Sequence, residues 1–186
     1  MTSLMIAVLL ALPHPKAPEP AAGVTQPAPV FSDEEVQQRV RALLANIDTR
    51  NLAARWKELG PRAAVLLEPI AQDTSEFPTR RAKAIDGLVL AAPDRAAMVA
   101  TKLALDETQP TTVRMAALRG VGRTAPSAKG MTKVLRTARD PGVRAAAAEV
   151  IAASGSSGCT QVKAQVAREE PDVRLAYSRA LARCGE

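Results

Sequence analysis

Apolar residues near the start of the patterned region recur at three- and four-residue intervals: Val36, Val40, Leu43, Leu44 and Ile47 in one stretch, then Leu52, Trp56 and Leu59 in the next. That spacing lines one face of an α-helix. Alternating apolar and polar runs, the mark of a half-buried strand, are nearly absent, so the expected fold class is all-α. Ser32-Asp33-Glu34-Glu35 ahead of the first stretch makes a capping box, with the Ser hydroxyl and the Glu carboxylate each satisfying a free backbone N–H and Phe31 as the hydrophobic staple. The second stretch runs into Gly60-Pro61, a stop signal.

Beyond that point the chain repeats itself. Pro78-Thr79-Arg80-Arg81, Pro110-Thr111-Thr112-Val113-Arg114, Pro141-Gly142-Val143-Arg144 and Pro171-Asp172-Val173-Arg174 share one pattern, with their last arginines 33, 30 and 30 residues apart. Each opens an alanine-rich helix, and in the last three a glycine (Gly122, Gly155, Gly185) marks the expected end. Each follows another helix, expected over 61–72, 93–105, 126–139 and 159–169. Proline is tolerated in a helix's first turn, where its missing N–H would be unpaired anyway. Asp140 and Glu170 stand where a carboxylate can cap free N–H groups and meet the positive helix end. Two helices at a period of 30–33 residues predict a solenoid, in which neither helix buries its apolar stripe without the next unit.

These residues resemble a known family. Asp140-Pro141-Gly142-Val143-Arg144-Ala145-Ala146-Ala147 with Ile151 and Gly155, and Glu170-Pro171-Asp172-Val173-Arg174 through Leu181 and Gly185, are similar to the second-helix signature of HEAT and HEAT-like (armadillo-type) repeats. Leu66-Leu67-Glu68-Pro69-Ile70 resembles the proline-kinked first helix of such repeats. The earliest copy departs from the pattern, with Phe77 where Asp140 stands and Arg80 where Val143 stands. The resemblance covers 61–185, with 32–60 as a divergent first unit. It implies an α-α superhelix, a HEAT-type solenoid of about five helical hairpins over residues 32–186.

The N-terminus reads differently. Residues 4–12, LMIAVLLAL, form an apolar run too short to span a bilayer but long enough for the core of a secretory signal peptide, so 1–12 are read as an export segment. Residues 13–31 are a Pro/Ala-rich leader whose prolines favour extended, unpacked chain.

Composition narrows the function. Aromatic residues are 2% of the chain, and the one histidine, His14, lies in the leader. One histidine and two cysteines exclude most transition-metal sites and histidine acid–base chemistry. There is no glycine-rich phosphate loop, no serine elbow and no Cys–His pair, so no enzyme activity, cofactor or metal is expected. Arg81, Arg114, Arg144 and Arg174 would form a ladder, either structural, pairing with turn carboxylates such as Asp140 and Glu170, or a stripe for an anionic ligand. The net charge is +6, and residues 114–144 hold eight cations against Asp140 alone. Arg119, Arg123, Lys129, Lys133, Arg136 and Arg139 are therefore either a solvated face or a patch for an anionic partner. On the helix after Pro126, Met131, Val134, Leu135 and Ala138 are the expected buried face. Trp56 is read as core, with an exposed anchor at the N-terminal end as the other reading.

Cys159 and Cys184, the only cysteines, both fall in the last unit. Each shares a helical face with apolar residues, and their midpoint falls at the Pro171 turn. In an antiparallel hairpin such residues lie side by side, which predicts a disulfide. The bond persists only where the surroundings are oxidising, which ties it to export. The function expected from the whole chain is protein–protein interaction or assembly outside the cytoplasm, periplasmic or extracellular. A protein is the expected partner, with no small-molecule substrate, and membrane contact only through an uncleaved leader. The other reading is an electrostatic binder of an anionic polymer, duplex DNA or an envelope polyanion, through 114–144.

Overall fold

The computed structural model describes residues 31–46, 52–124 and 130–185. The export segment and, except for Phe31, the leader lie outside the described residues, as does Lys129. Every element among the described residues is helical. The elements are α1 (Asp33–Ala45), α2 (Leu52–Leu59), α3 (Ala64–Gln72), α4 (Pro78–Ala91), α5 (Pro93–Leu105), α6 (Thr111–Thr124), α7 (Met131–Thr137), α8 (Pro141–Ala152), α9 (Ser156–Val166), α10 (Pro171–Arg174) and α11 (Ser178–Arg183). A 3-10 turn over Gly60–Ala63 joins α2 to α3, and another over Leu175–Tyr177 joins α10 to α11.

The caps follow from the residues. Glu35 N–H donates to Ser32 Oγ at 3.2 Å and Ser32 N–H to Glu35 Oε2 at 2.7 Å, completing the capping box. Asp140 Oδ1 accepts from Val143 N–H at 3.0 Å. Glu170 holds the corresponding place before α10, but its side chain caps nothing. At the first copy, Phe77 keeps the extended backbone that Asp140 shows, and its carbonyl receives the N–H groups of Arg80 and Arg81. The turn therefore survives loss of the side-chain cap, because proline at N1 fixes the entry. Several boundaries differ from expectation: α9 spans Ser156–Val166 instead of 159–169, and the helix expected to open at Pro171 is broken by the 3-10 turn over Leu175–Tyr177. Gly60-Pro61 redirects the chain into a 3-10 turn instead of closing off a loop, and α6 runs past Gly122 to Thr124.

The helices pack in two rows. α3, α5, α7 and α9 each touch the next of that series, while α2, α4, α6, α8 and α11 do so in the other. Across the rows, α3 pairs with α4, α5 with α6, α7 with α8 and α9 with α11. The first helix joins through α3, α4 and the 3-10 turn before α3, and Lys83 of α4 donates to the carbonyls of Leu44 and Asn46 at its C-terminal end. Between the rows lies one core built of small side chains. Ala104, Ala116, Ala117, Ala147 and Ala148 are wholly buried beside Leu67, Val113, Leu118 and Ile151. Small residues bring helix axes close, which is why so few aromatics suffice. The expected buried faces hold: Met131, Val134, Leu135 and Ala138 of the α7 region are buried.

Two glycines mark close approaches. A Cβ on Gly87 would stand 3.0 Å from Trp56 Cε2, so the indole of α2 lies directly on α4. A Cβ on Gly158 would fall 2.0 Å from the Ile151 carbonyl oxygen, so only glycine lets α9 pack this tightly on α8.

Candidate functional site

Trp56 is 4% exposed and belongs to the core. The four ladder arginines occupy equivalent places, Arg81 and Arg114 turned back on the end of the helix before their own and Arg144 and Arg174 on the turn that follows it. Arg81 Nε donates to the Ala71 carbonyl at 3.1 Å, and Arg114 Nε and Nη2 both reach that of Ala104 at 3.3 Å. Arg144 Nη1 donates to the carbonyls of Ala138 (2.9 Å) and Arg139 (3.1 Å), and Arg174 Nε to that of Glu169 (2.9 Å). The last four carbonyls of a helix lack intrahelical partners and carry the negative end of its dipole, so a guanidinium satisfies both. Arg81 and Arg114 are buried, at 2% and 6% exposure.

The carboxylate that meets this ladder is Glu169, not the neighbouring Glu170, and Asp140 serves α8 as its N-cap instead. Glu169 Oε1 accepts from Arg144 Nε (2.7 Å), Gln165 Nε2 (2.8 Å) and the buried Tyr177 hydroxyl (2.7 Å), while Arg144 Nη2 donates to Oε2. The hydrogen bond from Arg144, opposed by burial and helped by Gln165 and Tyr177, holds the Glu169 carboxyl at about 2. The same pair raises Arg144, and burial, with the bond to Glu169, raises Tyr177. Every buried side-chain nitrogen and oxygen among the described residues has a partner. The Glu169 carboxylate gathers side chains from three helical segments, Gln165 of α9, Arg144 of α8 and Tyr177 of the 3-10 turn before α11, and so ties them together.

Cys159 and Cys184 form a disulfide, with their Cα atoms 5.5 Å apart, tying α9 to the end of α11. The pairing expected from the hairpin symmetry is present.

The basic segment does not stay together. Arg114 and Arg144 are consumed by the ladder. Arg119 and Arg123 stand exposed on α6, in one row; Lys133 and Arg136 stand exposed on α7, in the other, with Arg139 in the turn that follows. Two of these already meet carboxylates from neighbouring units: Arg119 with Asp86 (3.3 Å) and Lys133 with Glu107 (3.5 Å). What folding assembles in its place is a groove of about 270 Å³ between α6, α8 and α11. Arg119 and Arg123 line one side and Arg179 and Arg183 the other, with Glu149 of α8 between them. Arg179 and Arg183 lie some 60 residues from Arg119, outside any local charge window. The signal that could have found them is the repeat, which places these α6 and α11 arginines at matching positions.

Among the described residues no cluster of His, Cys, Asp or Glu could hold a metal ion, and no helix is long and apolar enough to cross a membrane. No protein-family model, curated protein or solved structure matches the chain.

Proposed function

We propose that this chain is an exported, non-catalytic HEAT-type repeat protein, whose hairpins stack as a short α-solenoid, and that it mediates protein–protein interaction or assembly outside the cytoplasm. The observation that carries this reading is a polar contact from the arginine of one unit to the turn of the next, made to an amide oxygen in one case and to a carboxylate in another. Arg81 reaches Gln109 of the following unit, 28 residues on, and Arg144 reaches Glu169 of its own following unit, 25 residues on. Contacts that run from one unit to the next in sequence are what linear stacking produces, since each unit touches only its neighbours. Stacked this way, helix faces remain on both rows with no internal partner, which is a surface for another macromolecule. The Cys159–Cys184 bond supports an oxidising compartment. Division of the 114–144 cations between two rows weighs against a polymer-binding track along that segment.

The test uses native cells. Photo-crosslinking at exposed positions of both rows, with fractionation, mature N-terminal sequencing and thiol alkylation without reduction, is expected to give an exported protein with blocked thiols and a protein adduct. Labelling of both thiols in a cytoplasmic fraction, or adducts to nucleic acid alone, would overturn the reading.

A further inference from the structure

The groove between α6, α8 and α11 has a feature that the stability of the chain does not explain. Arg119 and Arg123 are an i,i+4 pair on α6, and Arg179 and Arg183 are an i,i+4 pair on α11. Like charges at that spacing repel and weaken a helix. Here two such pairs face one another across α8. Arg123, Arg179 and Arg183 have no carboxylate partner among the described residues, and the one carboxylate lining the groove, Glu149, forms no salt bridge. The floor adds a second point. Gly122 sits inside α6, where glycine costs helix stability, yet a Cβ there would meet only Val150 Cγ2, at 3.6 Å, an ordinary contact. Packing therefore does not demand this glycine, whereas any side chain on it would rise into the groove.

We propose that this groove is the docking site for a short acidic segment of a partner protein, with carboxylates against Arg123, Arg179 and Arg183 and one apolar side chain over the floor at Gly122 and Met115. The inference rests on the protein-binding reading above and names the chemistry of its partner. Charge complementarity selects the occupant: Asp86 already meets Arg119, and an acidic segment supplies carboxylates to Arg123, Arg179 and Arg183, which have none among the described residues. A peptide fits better than a phosphate polymer for two reasons. Glu149 in the middle of the cations needs a donor, which a peptide backbone N–H supplies between its carboxylates and a continuous track of phosphates does not. The apolar floor gains nothing from a sugar–phosphate chain, and the described residues lining the groove offer no aromatic platform for bases.

The probe is a fluorescein-labelled Glu-Asp-Leu-Glu-Asp-Glu peptide, read by anisotropy against the full disulfide-bonded chain. Its Gln-Asn-Leu-Gln-Asn-Gln counterpart and a labelled 20-base-pair duplex are the other arms. The acidic peptide is expected to bind and to weaken as salt rises, and the amide peptide is expected to bind about tenfold less tightly or worse. Arg123→Glu with Arg183→Glu should weaken the acidic peptide by about tenfold or more, and Gly122→Leu by a smaller factor, with circular dichroism unchanged. Lys133→Glu with Arg136→Glu, on the other row, should leave binding within about twofold. Failure of the acidic peptide to bind, equal loss from the Lys133/Arg136 variant, or tighter binding of the duplex through the same arginines would each overturn the proposal. Should a groove-altering variant unfold, Arg179→Gln alone, which removes one exposed charge, must still weaken the peptide, or the proposal falls. If native crosslinking finds a protein adduct while the peptide arm fails, the general function stands and this site does not. Absence of any protein adduct removes the general reading instead.

Discussion

Arg81 and Arg144 fill the same place in two units and solve the same problem in different ways. Each is drawn inward against helix-terminal carbonyls, and each then needs something from the next unit. Arg144 finds a carboxylate, Glu169, and forms a pair whose side chains are 16% and 6% exposed. Arg81 finds only the amide oxygen of Gln109, which is held in turn by its own Nε2–H donating to Asp106 Oδ2 at 2.7 Å. Arg114, between them in sequence, finds neither and puts two nitrogens on the Ala104 carbonyl. The reason is one repeat position. Counting five residues back from the arginine of the following unit gives Gln109, Arg139 and Glu169. An amide accepts, a carboxylate accepts strongly, and a guanidinium cannot accept at all. One slot therefore sets which polar acceptor each of these arginines meets beyond the carbonyls.

That comparison can be broken most severely at Glu169. Glu169→Ala removes the acceptor shared by Arg144, Gln165 and the buried Tyr177 hydroxyl and should cost about 3 kcal/mol in urea unfolding, as expected for removing one member of a largely buried pair. Glu169→Gln recreates the Arg81–Gln109 junction and should cost roughly half as much. Equal losses from the two variants would show that charge, not acceptor geometry, joins these units. Reducing the Cys159–Cys184 bond should lower stability by about 3 kcal/mol on the chain-entropy account. The loss should be concentrated in hydrogen exchange of α9 to α11, with the Arg81 junction unaffected.

Acid should separate the junctions next. The Glu169 carboxyl is held at about 2 in the folded protein, against an ordinary value near 4.5. Its folded value is depressed, so its contribution is complete above the ordinary carboxylate range and is lost as pH falls toward 2. Between those limits the urea midpoint should drop more steeply for the parent than for Glu169→Gln. A residual slope should remain, because Asp106 is also held at about 2, mainly by the Thr108 hydroxyl and by Gln109. Parallel slopes for parent and variant would remove Glu169 from the acid response. The smallest effect tests the slot itself. Arg139→Gln gives Arg114 the acceptor that Arg81 enjoys and should raise stability by about 0.5–1 kcal/mol. No gain would mean that the slot's chemistry does not decide the junction.

Local chemistry carried much of this into the sequence. The Ser32 box, proline at N1 of α4, α5 and α8, and the apolar stripe of α7 depend on neighbours within one or two turns. A chain read residue by residue shows all of them. The disulfide was readable too, because hairpin symmetry turns sequence distance into spatial distance. The carboxylates expected to meet the arginine ladder are Asp140 and Glu170, whereas Asp140 caps α8 and it is Glu169 that pairs with Arg144, since only the path of the turn decides which carboxylate enters the core. The basic stretch 114–144 misled for a related reason: contiguity along the chain is not contiguity on a surface. Successive helices alternate between two rows, so Arg119 and Lys133 part company, while Arg183, distant in sequence, comes to face Arg123 across α8. Local spacing determines which face of a helix is buried. Only stacking determines which exposed faces become neighbours, because that depends on contacts between residues 30 or 60 positions apart that no short window of sequence contains.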